Sequence, residues 1–228
     1  MSQTPRRQIE AIDVQIRSGA VTLEGELVLP EHAQGIVLFA HGSGSSRHSP
    51  RNQFVAQTIR EAGIGTLLFD LLTREEEAED RYTRHLRFDI GLLAARLVDA
   101  TCRVKGEFDY LHVGYFGAST GAAAALVAAA ELGEIVGAIV SRGGRPDLAR
   151  GALLRVKAPT LLIVGELDSP VIALNEQAYA QLRREKEIEI VPGATHLFEE
   201  PGALEQVADL AANWFQKHLG SRSRVAEG

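Results

Sequence analysis

One cysteine, Cys102, among 228 residues cannot form an internal disulfide, so nothing here ties the fold to an oxidising compartment. No stretch reaches the roughly 18 uninterrupted apolar residues that suit a bilayer span. The opening MSQTPRRQIE also lacks an apolar segment of the secretory kind. A cytoplasmic protein with no membrane partner is the expectation. Aromatic residues are scarce at 6%, and the formal net charge is -6, so the chain has no basic surface of the sort nucleic acid requires. Neither H-E-x-x-H nor clustered Cys and His ligands occur, which leaves no expected metal. What is present is a 45% hydrophobic content, enough to bury one substantial core. Residues 1–219 therefore read as a single domain, and 220–228 as a poorly ordered tail without apolar anchors.

Short continuous apolar runs, the mark of strands buried on both faces, recur at Gly35–Ala40, Gly65–Leu71, Leu111–Phe116, Ile135–Val140, Pro159–Val164 and Glu187–Val191. An antiparallel pair at 12–18 and 20–29, joined at Ser18-Gly19, precedes them. Segments of helical period lie between, at 50–62, 86–104, 120–132, 171–185 and 203–219. This alternation predicts an α/β fold with a mostly parallel sheet covered by helices on both faces. The acidic run from Glu75 to Asp80 reads as a solvated loop leading into the next helix, with a mobile flap as the less favoured alternative.

In a parallel sheet the ligand crevice lies beyond the carboxyl ends of the strands, so chemistry is sought there. Gly117-Ala118-Ser119-Thr120-Gly121 sits where an apolar strand turns into an Ala-rich helix. A G-x-S-x-G turn of this kind holds a serine hydroxyl clear of the backbone, which makes Ser119 the candidate nucleophile. A serine needs a base, and the base needs an orienting carboxylate. Asp168, in the loop after the strand ending at Val164, and His196, in the loop after the strand ending at Val191, follow in the order Ser, Asp, His. Glu166 is the rival carboxylate, and Asp168 could instead cap the helix that follows. His41-Gly42-Ser43-Gly44 can aim backbone N–H groups at a developing oxyanion. The expected donors are Ser43 and Thr120, with Gly44 as the fallback. Arg142 and Arg145, after the sixth strand, are candidates for binding an anionic part of the substrate, although pairing with local acids such as Asp147 is the plainer reading.

Taken together, His41-Gly42-Ser43-Gly44, the turn at Ser119, Gly165-Glu166-Leu167-Asp168 and Gly193-Ala194-Thr195-His196 resemble an α/β-hydrolase of the dienelactone-hydrolase-like group over about residues 20–219. The resemblance implies an eight-stranded sheet, a Ser-His-Asp triad, an acyl-enzyme intermediate and no cofactor. One departure is plain: dienelactone hydrolases proper carry cysteine at the nucleophile position, where this chain has Ser119. Only residues 142–158 separate the sixth strand from the seventh, so no cap domain fits, and an open site for a small ester or thioester is expected. An amidase or peptidase using the same residues, or a non-catalytic binding module on the same fold, are the alternatives.

Overall fold

A computed structural model of the chain describes residues 10–220. The expected tail lies outside them from residue 221 onward. Eight strands form one sheet: β1 (Ala11–Ser18), β2 (Val21–Val28), β3 (Gly35–Ala40), β4 (Gly65–Phe69), β5 (His112–Ala118), β6 (Val136–Arg142), β7 (Thr160–Gly165) and β8 (Lys186–Val191). Their order is β1-β2-β4-β3-β5-β6-β7-β8, with β1/β2 and β2/β4 antiparallel and the remaining neighbours parallel. β3, β4 and β7 are buried at every position, as continuous apolar runs require when helices cover both faces.

The covering helices are α1 (Pro50–Glu61), α2 (Arg74–Thr83), α3 (Ile90–Glu107), α4 (Thr120–Leu132), α5 (Ser169–Gln181) and α6 (Ala203–Leu219). α1 and α6 pack on one face, where Val55, Ile59, Val207 and Phe215 meet Phe39, Phe116 and Val140. α3 and α4 pack on the other, around Leu97, Tyr115 and Ile139. α4 lies deepest. Ala122 to Ala125, Ala128 and Ala129 are fully buried, because side chains this small let a helix approach sheet and neighbouring helix at once. Each larger aliphatic side chain removed from water contributes roughly 1.5–3 kcal/mol to holding these layers.

The acidic run is a helix rather than a loop, and this corrects the sequence expectation. Thr73 and Glu76 form a reciprocal capping box, Glu76 N–H donating to Thr73 Oγ1 at 3.3 Å and Thr73 N–H to Glu76 Oε2 at 2.8 Å. Glu75, Glu76 and Glu77 occupy the first turn, where the helix dipole favours negative charge. Asp80, only 1% exposed, turns inward to accept the Leu86 N–H at 2.7 Å and the Arg87 Nε–H. Strand and helix ends shift by a few residues elsewhere. The helix expected at 86–104 is a single 3-10 turn, Leu86–Phe88, followed by α3, since Asp89 caps α3 by accepting the Leu92 N–H. Between β6 and β7 only a kinked 3-10 segment, Pro146–Arg155, intervenes, so no cap domain is inserted.

Candidate active site

The turn from β5 into α4 imposes an uncommon backbone on Ser119, with φ 50° and ψ -120°. A non-glycine residue adopts that region only where its surroundings enforce it. The flanking glycines show why the spacing is required. A Cβ on Gly121 would stand 2.0 Å from the Ala40 carbonyl oxygen, and one on Gly117 would stand 2.5 Å from Ala122 Cα. Ser119 is then tied to the neighbouring strand end: its N–H donates to the Arg142 carbonyl at 3.3 Å, and its carbonyl accepts the Arg145 N–H at 3.0 Å.

Asp168 and His196 come together. His196 Nδ1 lies 2.6 Å from Asp168 Oδ2, so Nδ1–H donates to the carboxylate and Nε2 is left with its lone pair. Two cross-links between the loops produce this pairing. Leu167 N–H donates to the Ala194 carbonyl at 2.9 Å, and Gly193 N–H donates to Glu166 Oε2 at 2.7 Å. Glu166, the rival carboxylate, thus holds the histidine loop instead of the histidine. Asp168 stands at the N-cap position of α5 yet makes no side-chain cap, because its carboxylate faces the imidazole. Beneath His196 the loop is plugged by fully buried Phe198 and closed by Thr195, whose N–H and Oγ1–H donate to Glu200 at 3.1 and 2.6 Å. Among the described residues Ser119 Oγ has no hydrogen-bond partner, His196 Nε2 included; hydrogen bonds between reacting groups often tighten only once substrate is bound.

The Gly-rich loop after β3 runs against the serine: a Cβ on Gly42 would lie 3.1 Å from Ser119 Cβ. Ser43 Oγ is 3.1 Å from Thr120 Oγ1. Thr120 is the first residue of α4, so its N–H has no acceptor within the helix. Both expected oxyanion donors accordingly adjoin Ser119. His41, which sequence reasoning set aside as a base, anchors this loop. Its Nδ1–H donates to the Gly42 carbonyl at 3.0 Å and its Nε2 accepts the Leu71 N–H at 2.9 Å. Burial pushes its pKa below the ordinary histidine value, against an opposing pull from the Gly42 carbonyl, Asp70 and Glu77.

Beside this loop lies a cavity of about 100 Å³ lined by Gly44, Leu72, Glu77, Arg87, Leu93 and Thr120, among others. α2 supplies one wall of it through Glu77, Asp80 and Arg81. The signal for that wall was the T-x-x-E spacing of Thr73 and Glu76, a capping box in the sequence. The two candidate arginines part company. Arg145 is committed to Asp147, with Nε and Nη2 at 2.9 and 2.8 Å from its carboxylate oxygens. Arg142 is buried with no acid beside it.

The dienelactone hydrolase family model matches residues 23–219. The chain belongs to the dienelactone hydrolase family. The crystal structure of a dienelactone hydrolase from Anabaena variabilis is 61% identical, covers 93% of this chain and 100% of its own, and superposes with a TM-score of 0.91. Est1E from Butyrivibrio proteoclasticus, 15% identical over 92% of this chain and 99% of its own, has a TM-score of 0.77 and shares the fold. A curated Mycobacterium tuberculosis relative, provisionally named a phosphoribosyl transferase, is 57% identical over 209 residues. That match takes in 91% of this chain but 46% of the relative, so this chain spans about half its length. Among the described residues no helix is long and apolar enough to cross a membrane, and none of their His, Cys, Asp and Glu side chains gather into a metal-holding group.

Proposed function

We propose that the protein is a serine hydrolase of small carboxylic esters or thioesters. The observation that supports this reading is the 2.6 Å pairing of Asp168 with His196 Nδ1, taken with a serine held at φ 50° in a G-x-S-x-G turn. Ser119 Oγ attacks the acyl carbon while its proton passes to His196 Nε2. Asp168 keeps the imidazole in the tautomer that can accept it. The backbone N–H groups of Ser43 and Thr120 meet the negative charge on the carbonyl oxygen, each contributing on the order of 10²- to 10³-fold. The leaving alcohol or thiol takes the proton from Nε2, water repeats the attack with His196 as base, and the carboxylic acid departs.

The cavity beside Thr120, about 100 Å³, is small. It favours a short acyl or alcohol group over a long chain. Its charged lining holds two acids, Glu77 and Asp80, and two arginines, Arg81 and Arg87, so it presents no strong excess of one sign. The name of the mycobacterial relative belongs to a chain about twice this length, and none of the chemistry above is needed for phosphoribosyl transfer.

A fluorophosphonate probe tests the reading directly. Wild type should label and Ser119→Ala should not, while a panel of p-nitrophenyl esters should turn over fastest at acetate to butyrate. An unlabelled, folded wild type would instead favour a binding module that keeps the fold without the activity. p-Nitroanilides run in parallel separate an esterase from an amidase.

A further inference from the structure

Beneath the histidine loop, the sheet face covered by α1 and α6 ends in an unmet positive charge. Arg142 closes β6 on the same face as Ala138 and Val140, which pack with Val55, Ala56 and Ile59 of α1 and with Phe198. The residue is 9% exposed. Its Nε and Nη1 are sealed from solvent without a hydrogen-bond partner, and among the described residues no carboxylate pairs with it. Burial, reinforced by the nearby Arg51 cation, pulls its pKa down to about 10, so the guanidinium remains charged at neutral pH. An uncompensated buried cation is strongly unfavourable unless an anion joins it.

The neighbouring groups carry the same deficit. Arg51 is bound through Nη1 to Glu199 at 2.9 Å, yet its Nε is buried and unpaired. Asn52, the first member of the buried stripe of α1, is almost fully buried with Oδ1 lacking a donor. The first turn of α1 has no acidic residue and no side-chain cap; Pro50 has no N–H and the Gln53 N–H donates to the Ser49 carbonyl, which leaves the Arg51 and Asn52 N–H groups open in the way that draws oxyanions to helix starts. Arg142 and the start of α1, next to it through Arg51, therefore offer several donors and one acceptor. A halide has nothing to give Asn52 Oδ1, and neither has a fully ionised sulfate. A phosphate that keeps one O–H can accept from the guanidinium groups and donate to the amide. The place is close to the chemistry: Gly143, which follows Arg142, would put a Cβ 3.5 Å from His196 Cε1.

We propose that Arg142, Arg51, Asn52 and the first turn of α1 form a binding site for phosphate, either as the free ion or as a phosphoryl group carried by a substrate. The site depends on the hydrolase reading only for its nearness to His196, and phosphate binding is read without turnover. Failure of either idea therefore leaves the other standing.

The experiment titrates wild type with inorganic phosphate, against sodium chloride and sodium sulfate at matched ionic strength, following thermal midpoint and ³¹P line width. Wild type should show a saturable rise in midpoint and exchange broadening in phosphate alone. Arg142→Met should weaken phosphate binding by about tenfold to a hundredfold, as loss of a charge-assisted contact predicts, and Arg142→Lys by less. No broadening and no phosphate-specific shift in wild type would overturn the proposal without reference to any variant, and so would an undiminished phosphate response in folded Arg142→Met. The source is read from kinetics. Inorganic phosphate that competes with a phosphorylated acetyl ester but not with p-nitrophenyl acetate identifies a substrate subsite. Phosphate that alters p-nitrophenyl acetate turnover without competing identifies a free ligand.

Discussion

Arg96 and Glu76 face each other in a two-pronged ion pair, Nη1 and Nη2 lying 2.7 and 2.6 Å from the two carboxylate oxygens. Arg96 comes from α3, is almost fully buried, and also donates to the Leu71 carbonyl at 2.6 Å. One carboxylate thus caps α2, fixes α2 to α3, and borders the segment to which His41 anchors the Gly-rich loop. Removing its charge in Glu76→Gln leaves the guanidinium under-compensated. Since Glu76 is itself partly exposed, a loss of about 1–3 kcal/mol is expected in urea unfolding. KM for short esters should rise more than kcat falls, because α2 walls the cavity without touching the reacting atoms.

The same pair predicts a pH dependence. The hydrogen bond from Arg96 holds the Glu76 carboxyl below its ordinary value. Its stabilising contribution is present above the unfolded carboxylate pKa of about 4.3 and is lost as pH falls through the lower folded value. Below pH 5 the thermal midpoint of wild type should therefore fall more steeply than that of Glu76→Gln. Parallel curves would remove this assignment.

His41 has a depressed pKa from burial and must be neutral for Nε2 to accept from Leu71. A base whose folded pKa lies below its unfolded value of about 6.5 binds more protons when unfolded, so stability rises with pH across the interval between the two values. Wild type should lose stability as pH drops below about 6.5, and the difference from His41→Gln should shrink over that range. His218 is also shifted down by burial and contributes the same sign in both proteins, so the comparison isolates His41. Thermal melts from pH 7.5 to 5 provide the check.

The two carboxylates after β7 should separate cleanly. Asp168→Asn is expected to lower kcat by about 10⁴-fold while the protein stays folded, since the amide favours the wrong imidazole tautomer. Glu166→Gln should retain activity within about tenfold, because a neutral side-chain oxygen can still accept the Gly193 N–H. The opposite ranking in steady-state kinetics would transfer the orienting role to Glu166.

Glycines at the turn differ from glycines elsewhere. Gly121→Ala forces a methyl group onto the Ala40 carbonyl and should cost about 3 kcal/mol, with loss of labelling at Ser119. Gly106→Ala, within α3 and with nothing inside 4 Å of the added carbon, should instead stabilise by about 0.5–1 kcal/mol. Paired denaturation curves decide both.

Sequence by itself determined the parts that depend on a few neighbouring residues. Buried strands declare themselves as continuous apolar runs, and a serine turn needs small residues at 117 and 121 because backbone from β3 and α4 passes too close for a side chain. Even α2 had a local sign in Thr73 and Glu76, overlooked because a run of acids resembles a solvated surface. Tertiary structure alone decided among equivalent partners. Glu166 and Asp168 stand two residues apart in one loop, and only the cross-links to the β8 loop give one the imidazole and the other a backbone amide. Arg142 and Arg145 share a loop as well, yet Arg145 meets Asp147 while Arg142 is buried without an acid. Charge and chemistry are written in the chain, but Coulomb and hydrogen-bond energies depend on distance and burial, which arise only when remote segments are folded against each other.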